Sequence, residues 1–181
     1  MNITIKNAIK KIKSANTNKE KKQLAEDLLK NMVANKESWI EKKYYHPNKK
    51  QGFSGWVIHQ EPDHSLCLVI QSWCPHKGAP PHNHATWSIT AGVIGEEEHI
   101  IYNNIPLPYP EQHQLTIKQI VVCKPGTIIH LGNNAVHSVK NKMDNITLSI
   151  TFYGKHPNYT HRIQIDPDTH YVEKFICEEE C

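Results

Sequence analysis

The sequence predicts an all-β domain, a barrel or sandwich of short strands preceded by short helices. Three features predict it. From about Lys50 onward, clusters of Pro, Gly, Asn and Asp separate short runs rich in Val, Ile, Thr, Trp and Tyr, the composition of strands bounded by turns. No helical pattern interrupts these runs, which argues for a barrel or sandwich rather than alternating strands and helices. Before that point, apolar residues recur at three- and four-residue spacing instead, the period of an amphipathic helix.

Ile5, Ala8, Ile9 and Ile12 predict a first helix over 3–13. The stretch 14–18 breaks it, with Thr17 or Asn18 available as an N-cap. Leu24, Ala25, Leu28, Leu29 and Met32 mark a second helix to about Ala34, and Trp39 and Ile40 fasten a third short turn. Nothing in these helices carries chemistry; they read as packing elements. Strands are expected near 55–60, 65–73, 86–93, 97–103, 115–122, 127–130, 135–140, 146–153 and 162–165. Residues 103–114, with Pro106, Pro108 and Pro110, read as a loop. The expected organisation is a helical segment over 1–45, a barrel over 46–172 and a polar, loosely held tail over 173–181.

Composition narrows the function. At 181 residues the chain fits one domain with a substantial core. It has no run of apolar residues long enough for a transmembrane helix, and its start lacks the pattern of a secretory signal. Five cysteines at 67, 74, 123, 177 and 181 are odd in number and irregular in spacing, which fits a reducing, cytoplasmic setting. Residues 1–50 hold 13 lysines against 5 acids, but the two signs are interleaved, as on a solvated helix face. Arg162 is the single arginine of the chain, poor equipment for reading phosphates or bases. Neither nucleic acid nor membrane is an expected partner.

The chemistry concentrates at Gly78-Ala79-Pro80-Pro81-His82-Asn83-His84-Ala85-Thr86-Trp87. The prolines favour extended backbone, and extended residues two apart project to one side, so His82 and His84 can converge on one point. With 13 histidines in the chain, about one such pair arises by chance, so context decides. It comes from Ala135-Val136-His137-Ser138-Val139-Lys140-Asn141, a strand histidine among apolar neighbours with an asparagine four residues later. Across a barrel, His137 can face the first pair.

These residues resemble the two half-motifs of the cupin superfamily: Pro81-x-His-x-His with Gly92 and Gly95 beyond, then His137-x-x-x-Asn141. The resemblance, over roughly 55–155, implies a double-stranded β-helix, a jelly-roll barrel. The glutamate many cupins add falls at Ser88 or Ile89, so the carboxylate is absent. An all-histidine triad is what the thiol dioxygenases use, and the run from His82 to Glu97 resembles their bacterial members. The resemblance implies Fe(II) on His82, His84 and His137, with a small thiol and dioxygen as substrates. It also implies a late Ser-x-His-x-Tyr, met here as Ser149-Ile150-Thr151-Phe152-Tyr153, with Tyr153, helped by Ser149, orienting substrate or oxygen. Threonine replaces that histidine. The arginine that such enzymes place before the histidine pair is missing from 53–59, and Arg162 is distant in sequence. Ile89 stands where some members carry a cysteine linked to the tyrosine, so no thioether is expected. The alternatives are a cupin enzyme using Ni, Mn or Zn, or a non-catalytic cupin that binds a metal or ligand. His76 reads as a loop residue, Cys74 and Cys123 as inert thiols, residues 96–98 as a solvated turn, Trp87 as pocket wall or core, and Tyr102 as a pocket candidate.

Overall fold

Two helices lead into twelve strands in the computed structural model, which describes residues 3–108, 111–177 and 179–180. Helix α1 (Ile3–Ser14) buries Ile5, Ile9 and Ile12, one stripe at helical spacing. Helix α2 (Asn18–Ala34) is capped by Thr17, whose hydroxyl accepts from the Glu20 amide at 3.1 Å. Glu20 in turn accepts from the Asn16 amide at 3.1 Å, so two otherwise free N-terminal donors are satisfied. The expected third turn is a pair of 3-10 turns, Lys36–Ser38 and Lys42–Tyr45. Trp39 is fastened through its indole N–H to the Met32 carbonyl at 2.7 Å.

The strands are β1 (Phe53–Gln60), β2 (Ser65–Trp73), β3 (Gly78–His82), β4 (Ser88–Ile94), β5 (Glu97–Pro106), β6 (His113–Cys123), β7 (Ile128–Leu131), β8 (Val136–Asn141), β9 (Thr147–Lys155), β10 (Ile163–Ile165), β11 (Val172–Lys174) and β12 (Glu179–Glu180). They form two six-stranded sheets, ordered β12-β1-β2-β9-β4-β7 and β11-β10-β3-β8-β5-β6. Neighbours within each sheet are antiparallel, except that β12 runs parallel to β1. This is the double-stranded β-helix with short N-terminal helices. The proline-braced segment before His82 is a strand of its own. The loop expected over 103–114 is shorter: β5 and β6 pair from Glu97↔Cys123 out to Pro106↔His113, closing a long hairpin. Pro110 lies outside the described residues, as does Cys181.

Strand β9 shows how the layers divide. Leu148, Ile150 and Phe152 join Leu68, Ile70, Ile89, Ala91 and the helix residues Leu28, Leu29 and Met32 in the main core. The alternate residues Ser149, Thr151 and Tyr153 face the other way, into the barrel lumen. The apolar face of β9 is therefore its outer face, covered by the helices, and its polar face lines the lumen. The segment after β11 is tied down: Phe175 is buried against Trp73, Ala79 and Val139.

Candidate metal centre

His82 ends β3, and His84 follows it. Between them, Asn83 is pinned to β10 in both directions, its amide donating to the Ile163 carbonyl at 3.0 Å and its Oδ1 accepting from the Ile163 amide at 2.9 Å. That turns Asn83 outward and both histidines inward. His137 on β8 is the direct cross-strand partner of His82. The approach of β3 to β8 depends on Gly78, where a Cβ would stand 2.0 Å from the Val139 carbonyl oxygen. Asn141 holds the far end of β8, donating to the Asn145 carbonyl at 2.8 Å and accepting from the Met143 amide at 2.8 Å.

The three imidazoles are buried, and one ring nitrogen from each lies within 4.8 Å of the others. His84 Nε2 and His137 Nε2 are 3.2 Å apart, close to the roughly 3 Å edge between adjacent ligands when each metal–nitrogen bond is about 2.1 Å. His82 Nδ1 donates to the Pro80 carbonyl at 2.8 Å, which leaves its Nε2 as the lone-pair donor. His84 Nδ1 lies 3.0 Å from the Ser88 hydroxyl. Burial, with the nearby Arg162 charge adding to it, pulls His82 down to about 4. Burial holds His84 and His137 well below the ordinary imidazole range. Three neutral imidazoles converging on one point can hold a divalent transition metal. Among the described residues no carboxylate joins them.

The lumen around this cluster is a cavity of about 80 Å³, room for a molecule of a few heavy atoms. Phe53, Val57, Val69, Trp73, Val139 and Phe175 supply apolar wall, and Gln71, Ser149, Thr151, Tyr153 and Arg162 supply polar groups. Tyr153 sets its ring edge-on to His84 at 5.0 Å between centroids, and burial raises its phenol well above the ordinary range. Its oxygen accepts from Gln71 Nε2 at 2.9 Å. Gln71 Oε1 accepts from the Thr151 hydroxyl at 3.1 Å, and Thr151 lies 2.9 Å from Thr90 Oγ1. Gln71 thus joins threonine to tyrosine. Ser149 accepts a long bond from the Trp73 indole at 3.5 Å.

Arg162, distant in sequence, lines the same cavity, and it is 6% exposed. Its Cζ sits 4.6 Å from the Phe175 ring centroid, and that ring lies 4.8 Å from His82. Phe175 thus touches both the guanidinium and the triad. Nε donates to the Phe175 carbonyl at 2.8 Å, and Nη2 donates to Asn158 Oδ1. Among the described residues no carboxylate pairs with it. Its only sequence signal was being the sole arginine.

The remaining candidates separate cleanly. His76 is exposed and bridges to Asp144 at 3.0 Å. Trp87 stacks on Phe152 at 6.2 Å in the main core. Tyr102 lies off the cavity, its hydroxyl 3.0 Å from Ser138 Oγ. Cys123 is buried, its thiol pushed up to about 12 by burial first and the Glu97 carboxylate second. The solvated turn expected at 96–98 holds only in part: Glu96 and Glu98 pair with Lys124 and Lys142, but Glu97 is 1% exposed. Strand β5 starts at Glu97, so its side chain and that of His99 alternate inward.

No protein-family model and no curated protein matches the sequence. Solved structures do resemble the fold. A double-stranded β-helix protein from Klebsiella pneumoniae subsp. pneumoniae MGH 78578 aligns with a TM-score of 0.49 at 14% identity, over 71% of this chain and 96% of its own. The DMSP lyase DddQ from Ruegeria pomeroyi DSS-3 aligns with a TM-score of 0.48 at 13% identity, over 72% and 61%. A cupin superfamily protein from Desulfitobacterium hafniense DCB-2 aligns with a TM-score of 0.44 at 8% identity, over 57% and 77%.

Proposed function

We propose that the chain is an Fe(II)-dependent dioxygenase that oxidises a small thiol bearing a carboxylate to its sulfinate. The observation that carries the reading is one small cavity holding three neutral histidines, a phenol and an arginine free of any acidic partner among the described residues. The resemblance of the residues around His82, His84 and His137 to the thiol dioxygenases points to sulfur as the reacting atom. The reaction balances without an external reductant: both oxygen atoms of dioxygen end on sulfur, as R–SH + O2 → R–SO2H.

A ferrous ion held by His82, His84 and His137 would supply Lewis acidity toward a thiolate and a place for dioxygen beside it. The protein does the rest. Arg162 offers its guanidinium fork to the carboxylate, the role left open by the missing arginine before the histidine pair. Tyr153, which stays protonated and accepts from Gln71, keeps its own O–H to donate into the cavity toward substrate or oxygen. The apolar wall from Phe53 to Phe175 excludes water and strengthens both contacts.

The decisive experiment is oxygen consumption by the Fe(II)-loaded protein with a panel of small thiols, with and without a carboxylate, beside His137→Ala. Uptake confined to carboxylate-bearing thiols and abolished in the variant supports the reading. Iron binding without thiol-dependent uptake removes it, in favour of a cupin that binds metal or ligand without turnover.

A further inference from the structure

Two of the three triad histidines are oriented through their second ring nitrogen: His82 by the Pro80 carbonyl and His84 by the Ser88 hydroxyl. His137 is not. Its Nδ1 is buried and has no hydrogen-bond partner among the described residues, a departure from the usual anchoring of ligand histidines by their outer nitrogen. What lies against it is another ring. His99 stacks on His137 with planes 19° apart and centroids 5.6 Å apart. Strand β5 pairs with β8 so that His99 and His137 are diagonal neighbours, Ile101 standing opposite His137 and His99 opposite Val139. His99 is 2% exposed, lines the cavity and approaches Glu97 Oε2 through Nε2 at 3.4 Å. Glu97 is equally enclosed, and its other oxygen has no partner among the described residues. A buried carboxylate without compensation is costly, and neither residue touches solvent, so surface solubility does not account for the pair.

We infer that His99 is a positioning residue for the metal centre: its ring is the plate that fixes the plane of His137. This rests on reading His82, His84 and His137 as metal ligands.

Co(II) titration, followed by calorimetry and by the visible d–d spectrum, tests the role without turnover. His99→Gln keeps a polar partner for Glu97 but removes the flat ring, and it is expected to weaken Co(II) binding about 10- to 100-fold and to shift the d–d bands. His99→Phe keeps the flat ring and the volume, and its affinity is expected within roughly threefold of wild type. A residue that merely fills polar space predicts the opposite order. His99→Leu, apolar and without a plate, serves if the Gln variant does not fold, and it should lose affinity as Gln does. Wild-type affinity and spectrum in His99→Gln, or a Gln variant that outperforms Phe, overturn the inference. His137→Ala separates the two levels. Binding that needs His137 but ignores His99 removes the positioning role alone. Wild-type protein that binds no Co(II), or binds it equally well without His137, removes the metal reading and the plate with it.

Discussion

At the scale of single residues, the proposed function divides labour between groups that hold a metal and groups that address a substrate, and mutations can separate the two. Tyr153→Phe removes one oxygen from a ring that also packs on His84. With the ring kept, metal affinity should be unchanged while kcat falls about 100-fold, the usual cost of losing a positioned proton donor; equal losses in metal binding would make Tyr153 a structural residue. Arg162→Gln should act differently. It removes the fork proposed to hold the carboxylate, so KM for an acidic thiol should rise by about 10-fold or more, while a thiol lacking the carboxylate should gain nothing from the wild-type arginine. Steady-state kinetics on the matched pair of thiols checks it. Of these residues, the three histidines were expected from spacing and strand context, and Tyr153 only from the resemblance to the thiol dioxygenases. Arg162, Gln71 and His99 were not legible, because Gln71 and His99 come from separate strands that only the pairing of β2 with β9 and of β5 with β8 brings to the cavity, and Arg162 comes from the turn just before β10.

At the scale of elements, the site depends on how closely β3 and β8 approach. Gly78→Ala puts a methyl 2.0 Å from a backbone oxygen, and backbone cannot rotate away as a side chain can. Overpacking of this kind costs about 1–3 kcal/mol, and here the strain is delivered to the two strands that carry His82 and His137. Both the urea midpoint and Co(II) affinity should fall. Leu29→Ala in α2 is the contrasting case. Leu29 is fully buried in the core between the helices and the outer face of the sheet, so the cavity left behind should cost about 2–5 kcal/mol. It lies on the far side of β9 from the lumen, so metal affinity in the folded protein should hold. The helices themselves were readable from their 3.6-residue period. That they cover the apolar face of β9, leaving its polar face to the lumen, was not, because β9 is buried on both faces and alternation cannot say which face looks inward.

At the scale of the whole molecule, the fold encloses basic groups that other proteins expose. His82, His84, His99, His137 and Arg162 all line one cavity, and Glu97 lies beside His99. The strand pattern and turn residues made the barrel legible in the sequence, since each run carries its own β signal. The concentration of basic groups at its centre arises only on folding. It has a consequence for stability. His82 is fully buried with its pKa drawn from the ordinary 6.5 to about 4, and His84 and His137 are displaced in the same direction. Between these values the unfolded chain takes up protons that the folded chain refuses, so stability must rise with pH across that window and fall as the solution is acidified. His82 alone should contribute about 3 kcal/mol, fully present above pH 6.5 and lost progressively down to pH 4. Urea unfolding of the metal-free protein at intervals from pH 7.5 to 4.5 should show this decline. Loading with Co(II) should steepen it, because protons then compete with the metal for the same nitrogens. His82→Gln should flatten the metal-free curve. A wild-type curve already flat through pH 5 would mean that the histidines reach solvent, and that the cavity is not closed as described.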